Sequence, residues 1–180
     1  MKTDTNPATG ASADPTQPVQ IATKRFGTIS VGADEQFDVP RGIPGFAQLR
    51  RAVLLAAAQE SGIDSQSLFW LQDLDDGDLA FLCVVPWDLF PEYDLEIDED
   101  EFGIGGSVDI RVLNLVTVRS PDRDTGLTVN LRAPLVIDVR RRQMFQTILA
   151  DQRWPISAPV AALPTSPASD TANTGAQDGV

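Results

Sequence analysis

Short apolar runs, each closed by Gly, Pro, Asp or Ser, mark residues 20–160 as strand-rich. Gln20 to Val31 carries β-branched and aromatic residues around a turn at Gly27. Further runs cover Leu49 to Ala57, Leu68 to Gln72 and Leu79 to Val85. In Val108 to Val118, positions Val108, Ile110, Val112, Asn114, Val116 and Val118 share one parity, so they face one side of a strand. Leu127 to Leu131, Leu135 to Val139 and Met144 to Leu149 follow. Many closely spaced short strands predict a mainly β fold: one compact, antiparallel, barrel-like domain. Helix signals are confined to short insertions at Pro86 to Phe90 and Asp98 to Phe102. No internal repeat is evident.

The two ends read differently. Residues 1–19 and 161–180 are rich in Thr, Ala, Pro, Asp, Ser and Gly and poor in large apolar side chains. Such segments bury too little surface to offset the entropy of ordering, so disordered tails are expected around the 20–160 domain. The start lacks a basic stretch followed by an apolar one, and no run approaches the roughly 18 apolar residues of a membrane span. A cytoplasmic protein is expected.

Charge narrows the partners. Acidic residues number 26 against 14 basic ones, a net charge of −12. That surface repels phosphate backbones, so direct nucleic-acid binding is not expected. It would steer a basic protein partner, although acidity also serves solubility alone. The chain has one cysteine, Cys83, and no histidine, which removes an internal disulfide, a Ser-His-Asp triad and most zinc sites. Cys83 sits within Leu82-Cys83-Val84-Val85 and reads as a small buried residue.

Three motifs tempt and fail. Gly103-Ile104-Gly105-Gly106 lacks the third glycine of a dinucleotide loop, because Val108 stands there. Asp73-Leu74-Asp75-Asp76-Gly77-Asp78 resembles half a calcium loop, but the required glycine and distal glutamate positions hold Asp78 and Val84. An Asp-Gly hairpin turn explains it better. Paired carboxylates could serve a glycosidase, yet nothing selects a pair. No catalytic residue, metal ligand or cofactor is predicted.

Several strings stand in a fixed order along this domain. They are Phe37-Asp38-Val39-Pro40-Arg41-Gly42-Ile43-Pro44-Gly45-Phe46, Phe69-Trp70-Leu71-Gln72-Asp73, and Leu79-Ala80-Phe81-Leu82-Cys83-Val84-Val85-Pro86. Pro91-Glu92-Tyr93-Asp94-Leu95-Glu96-Ile97, Thr128-Val129-Asn130-Leu131-Arg132-Ala133-Pro134-Leu135-Val136-Ile137 and Gln146-Thr147-Ile148-Leu149 complete the series. In this order they resemble the FliW family of flagellar assembly factors, with departures from the family pattern at Val39, Asp138, Met144 and Phe145. The resemblance implies a barrel-like β fold and no cofactor. It implies binding to flagellin and to CsrA, a small RNA-binding regulator that represses flagellin translation. Capture of the regulator by an allosteric route would couple flagellin synthesis to assembly. A flagellin chaperone without a CsrA partner is the alternative. A monomer is expected.

Within those strings, Gly42, Pro44 and Gly45 predict a tight turn anchored by Phe46, and Trp70 reads as core. Asn130 reads as an amide that satisfies backbone groups, a reading also open to Gln146. Gln72 and Tyr93 admit two readings, internal hydrogen bonding or peptide recognition at an exposed edge. The run from Glu92 to Glu101 carries seven carboxylates, with Tyr93, Leu95 and Ile97 alternating between acids. It predicts an edge strand with one acidic face. Glu96, Asp98, Glu99 and Asp100 are the candidate docking groups there, against the alternative of a solvated rim.

Overall fold

Apolar runs bounded by turn residues become strands here, and their side-chain parity decides which layer each residue joins. The structure is a computed structural model that describes residues 18–57, 67–103, 106, 109–118 and 126–160. Both tails lie outside the described residues, except Pro18 and Val19. The strands are β1 (Val19–Thr23), β2 (Gly27–Val31), β3 (Gln36–Asp38), β4 (Arg51–Ala56), β5 (Leu68–Asp73) and β6 (Ala80–Val84). They continue with β7 (Ile110–Val118), β8 (Leu127–Val129), β9 (Leu135–Asp138), β10 (Gln143–Gln146) and β11 (Ala158–Val160). Short 3-10 turns cover Ala33–Glu35 and Pro86–Asp88, and helix α1 is Glu99–Phe102. The helical insertions thus fall where the sequence places them. Strands β3 and β11 were not foreseen, since three residues are too few to show a period.

Seven strands close into a barrel in the order β7-β6-β5-β4-β3-β10-β9, with β9 returning to β7. Neighbours pair antiparallel except β3 and β10, which meet in parallel at Asp38 and Gln143. An odd number of strands cannot alternate direction all the way round, so one parallel contact is required. Strand β7 is shared: Ile110 to Leu113 pairs with β9, and Val116 to Val118 pairs with β8. Strands β8 and β11 extend the sheet beyond the barrel.

The barrel interior is one apolar cluster, with Ala52, Leu71, Cys83, Leu113, Leu135 and Ile137 at its centre. Side chains one position along point outward. There a second layer covers them, as Tyr93, Leu131, Leu149 and Trp154 pack over Leu68, Val84 and Val129. Burial on both faces explains why β5 and β6 read as continuous apolar runs. The β1–β2 hairpin covers another part of the outer face, with Val31, Ile21 and Ile29 against Val53, Leu55 and Leu74.

Two turn glycines meet expectation. Gly42 and Gly45 have φ of 65° and 87°, in the left-handed region that favours glycine. Phe46 meets Phe81 edge to face at 4.8 Å. Trp70 departs from expectation. It lies on the outward parity, half-buried, between Leu55 and Leu82 across the strands. The Arg25 guanidinium stacks 3.9 Å from its ring centre and Phe26 meets its edge. In a sheet apolar on both faces, composition does not say which face is the interior.

The predicted acidic edge strand is also corrected. Residues 93–98 form no ladder, although exposure alternates as foreseen: Tyr93 is buried and Asp94, Glu96 and Asp98 are exposed. Leu95 packs into the Tyr93 cluster, and Ile97 packs beside Phe102, Val136 and Phe145. Those side chains hold the segment against the outside of the barrel, which replaces ladder pairing as the ordering force.

Candidate partner-binding site

Tyr93 is the anchor of the acidic segment. Its hydroxyl donates to the Leu131 carbonyl at 2.9 Å, across 38 residues of chain. Its own carbonyl accepts from Trp87 Nε1 at 2.7 Å, and its N–H donates to Phe90 O. Trp154 meets the ring edge to face at 4.9 Å. Burial pushes the phenol up from its ordinary range, so it stays a neutral donor. With 2% of its surface exposed, Tyr93 supports the segment and does not present its ring to a partner.

From this anchor the carboxylates project outward. Asp94, Glu96 and Asp98 line one side of a cleft of about 450 Å³, and Asp151 and Arg153 line the other. Arg153 holds the Asp151 carboxyl below its usual range through a 2.7 Å hydrogen bond. Asp98 Oδ1 accepts from the Asp100 N–H at 3.0 Å, at the start of α1. Asp100 is exposed, and Glu99 occupies the first position of α1, its side chain outside the described residues. Glu96, Asp98 and Asp100 are thus brought to one exposed segment.

Gln72 is elsewhere and does a different job. It is fully buried on β5, away from any edge of the sheet. Its Nε2 lies within hydrogen-bond distance of the carbonyls of Asp73, Asp76 and Leu79, at 2.9, 3.2 and 3.0 Å. These bonds tie the β5–β6 turn to the strand, and the expectation of an exposed recognition group does not survive them. Asn130 behaves as predicted, its Oδ1 accepting from Ala133 N, and Gln146 Nε2 likewise donates to the backbone, at Ala133 O.

Cys83 is fully buried, and desolvation pushes its thiol up to about 12. A thiolate nucleophile is therefore not available at neutral pH. Among the described residues, no group of three or more Cys, Asp or Glu side chains is arranged to hold a metal ion. No helix among them is long and apolar enough to cross a membrane. Sequence reasoning missed Trp154, which closes the layer over Tyr93, and Arg25, which covers Trp70. Neither neighbour carries a local signal, because Trp154 lies 61 positions from Tyr93 and Arg25 lies 45 positions from Trp70, on a hairpin docked against the outside of the barrel.

This architecture has relatives. Residues 20–160 match the family described as FliW protein. A flagellar assembly factor FliW from Syntrophus aciditrophicus is 33% identical over 141 residues, covering 77% of this chain and 85% of that protein. One from Thermoanaerobacter pseudethanolicus is 33% identical over 143 residues, covering 79% and 93%. One from Treponema denticola is 30% identical over 139 residues, covering 76% and 89%. A crystal structure of the flagellar assembly factor FliW superposes with a TM-score of 0.66 at 28% identity, covering 78% of this chain and 95% of that one. With the closed barrel, the match across the whole 20–160 span and these identities, the chain belongs to the FliW family of flagellar assembly factors.

Proposed function

We propose that this protein binds flagellin and captures a CsrA-type translational regulator in the cytoplasm, coupling flagellin synthesis to assembly. It acts as a monomer by binding, without catalysis and without contacting RNA itself. The observation that carries this reading is the display of Glu96, Asp98 and Asp100 on a segment pinned from beneath by buried Tyr93. A fixed row of carboxylates attracts basic side chains over about a Debye length of 8 Å at physiological salt. Glu99 belongs to the same row by sequence. Gln72 and Tyr93 contribute by holding the turn and the segment, because both are buried.

The test changes Glu96, Asp98, Glu99 and Asp100 together to Ser. Capture of purified CsrA should slow in association at low salt, with dissociation changed less. Flagellin binding should change less, because an apolar helical segment relies on packing more than charge. Parent-rate capture of CsrA by the variant, with no salt dependence, would remove the acidic segment from the mechanism. Flagellin binding without any CsrA binding by the parent would leave only a flagellin-binding role.

A further inference from the structure

The barrel has an open end lined by side chains of β3, β4, β5, β7 and β9. Side chains two apart on a strand share a face. Arg111 therefore shares the face of Leu113, which lies in the interior cluster, and its cross-strand partner Ile137 lies there too. A cationic residue thus occupies the inward register at the last row of the barrel. Beside it is a cavity of about 410 Å³, lined by Leu54, Phe69, Val85, Ile137 and Val139, with half-exposed Trp87 at the rim. Arg111 is the sole charged residue among the described side chains that line it.

This combination defines a ligand class. Apolar clefts of roughly 300–1,000 Å³ with a few placed polar groups are the usual form of small-molecule sites, and barrel mouths are a common place for them. The Arg111 guanidinium is well exposed and, among the described residues, pairs with Asp109 at 3.2 Å. Its five N–H donors leave room for a second carboxylate in the forked geometry. Arg142 stacks 4.8 Å from the ring centre of Phe37, another lining residue, and adds positive potential at the same end. We propose that this end of the barrel binds an amphiphilic carboxylate, with its aliphatic chain among Leu54, Phe69 and Ile137 and its head group on Arg111.

The experiment titrates the full chain with sodium decanoate below its micelle concentration, by calorimetry and by tryptophan fluorescence. Saturable one-to-one binding is expected, with a signal change that disappears in Trp87→Phe. Arg111→Gln should weaken decanoate by roughly tenfold or more, the worth of a charge-assisted hydrogen bond. The same variant should leave 1-decanol affinity unchanged, and its thermal transition should match the parent. Val85→Phe should reduce binding of both probes by filling the cavity. The proposal is overturned if the parent shows no saturable decanoate binding, or if Arg111→Gln binds decanoate as the parent does. Either result would assign the cavity to packing or to an apolar side chain of a docked protein.

Discussion

Two acidic stretches of similar composition have opposite structural fates. In Asp73 to Asp78 two carboxylates accept from the turn backbone and a third pairs with an arginine, although Asp75, Asp76 and Asp78 are exposed. Asp73 Oδ1 accepts from Asp75 N at 2.8 Å, Asp76 Oδ1 accepts from Asp78 N at 3.0 Å, and Arg51 pairs with Asp75. Gln72 binds the carbonyls from inside. In Glu92 to Glu101 the anchoring comes from the apolar residues in between, and Asp94, Glu96 and Asp100 remain exposed. The first stretch uses carboxylates to close a turn, while the second is held by its apolar residues and leaves its carboxylates at the surface. What separates them is the destination of the hydrogen bonds, which charge counting does not reveal.

The comparison is broken most severely at Tyr93. Tyr93→Ala should destabilise the domain by about 3–5 kcal/mol, as for other buried aromatics. Tyr93→Phe should lose about 1–2 kcal/mol, because the Leu131 carbonyl then has no hydroxyl donor. Urea unfolding measures both, and a parent-like midpoint for Tyr93→Ala would show that the acidic segment is not anchored there.

On the other stretch, Gln72→Leu should cost about 1–3 kcal/mol, because the turn carbonyls lose a buried donor, although those of Asp76 and Leu79 keep the N–H groups of Leu79 and Asp73. Amide exchange at Asp73 and Leu79 should quicken in the same variant, since their backbone bonds share the turn with Gln72. Unchanged exchange would show that the turn stands without the amide.

Gly77→Ala should cost about 1–3 kcal/mol through overpacking. A Cβ at Gly77 would lie 2.0 Å from the Ala22 carbonyl, which is backbone and cannot swing aside. The Lys24 N–H donates to Gly77 O at 3.0 Å, so the turn docks on the β1–β2 hairpin. A melting temperature equal to the parent's would show that the hairpin moves away freely.

These sites also show what the sequence could tell. The β5–β6 hairpin was legible from Asp-Gly between apolar runs, and the Gly42–Gly45 turn from its glycines and proline. The role of Gly77 was not, because its constraint is a clearance from a hairpin more than fifty positions away and not a positive φ. Strand alternation foretold the exposure of Asp94, Glu96 and Asp98 but not the absence of a ladder, since an extended segment and a strand share the same period. Gln72 and Tyr93 stand out in the sequence with two open readings, and the structure has the internal hydrogen-bonding one. Polar groups at the margin of an apolar run look alike whether they face water or a buried turn.

Asp73 offers a pH-dependent contrast. Burial raises its carboxyl above the ordinary value, outweighing the N–H groups of Asp75 and Asp76 that lower it. A raised folded pKa means that Asp73 favours folding when protonated, and that this contribution is lost as pH rises through the folded value. Asp73→Asn keeps an oxygen acceptor for the Asp75 N–H. It should therefore be at least as stable as the parent at neutral pH, with any advantage fading as acid protonates the parent's carboxyl. Urea midpoints from pH 3 to 7 measure it, and a variant less stable than the parent at neutral pH would contradict the assignment.

The smallest effect on stability is expected where the effect on binding is largest. Changing Glu96, Asp98, Glu99 and Asp100 together to Ser should alter stability by no more than about 0.5–1 kcal/mol, as surface substitutions do. Serine at position 98 retains an oxygen to cap the start of α1, where Asp98 now accepts from the Asp100 N–H. Removing neighbouring like charges relieves repulsion in a chain of net charge −12, and this offsets the loss of solvation. Salt should accordingly stabilise the parent more than the variant, because only the parent has that repulsion to screen. The measurement is a set of urea curves for both proteins at low and high salt, read for midpoint and slope. A loss of several kcal/mol at either salt would mean that the carboxylates build the fold. The distinction from the Asp73–Asp78 turn would then fail, since both stretches would be structural.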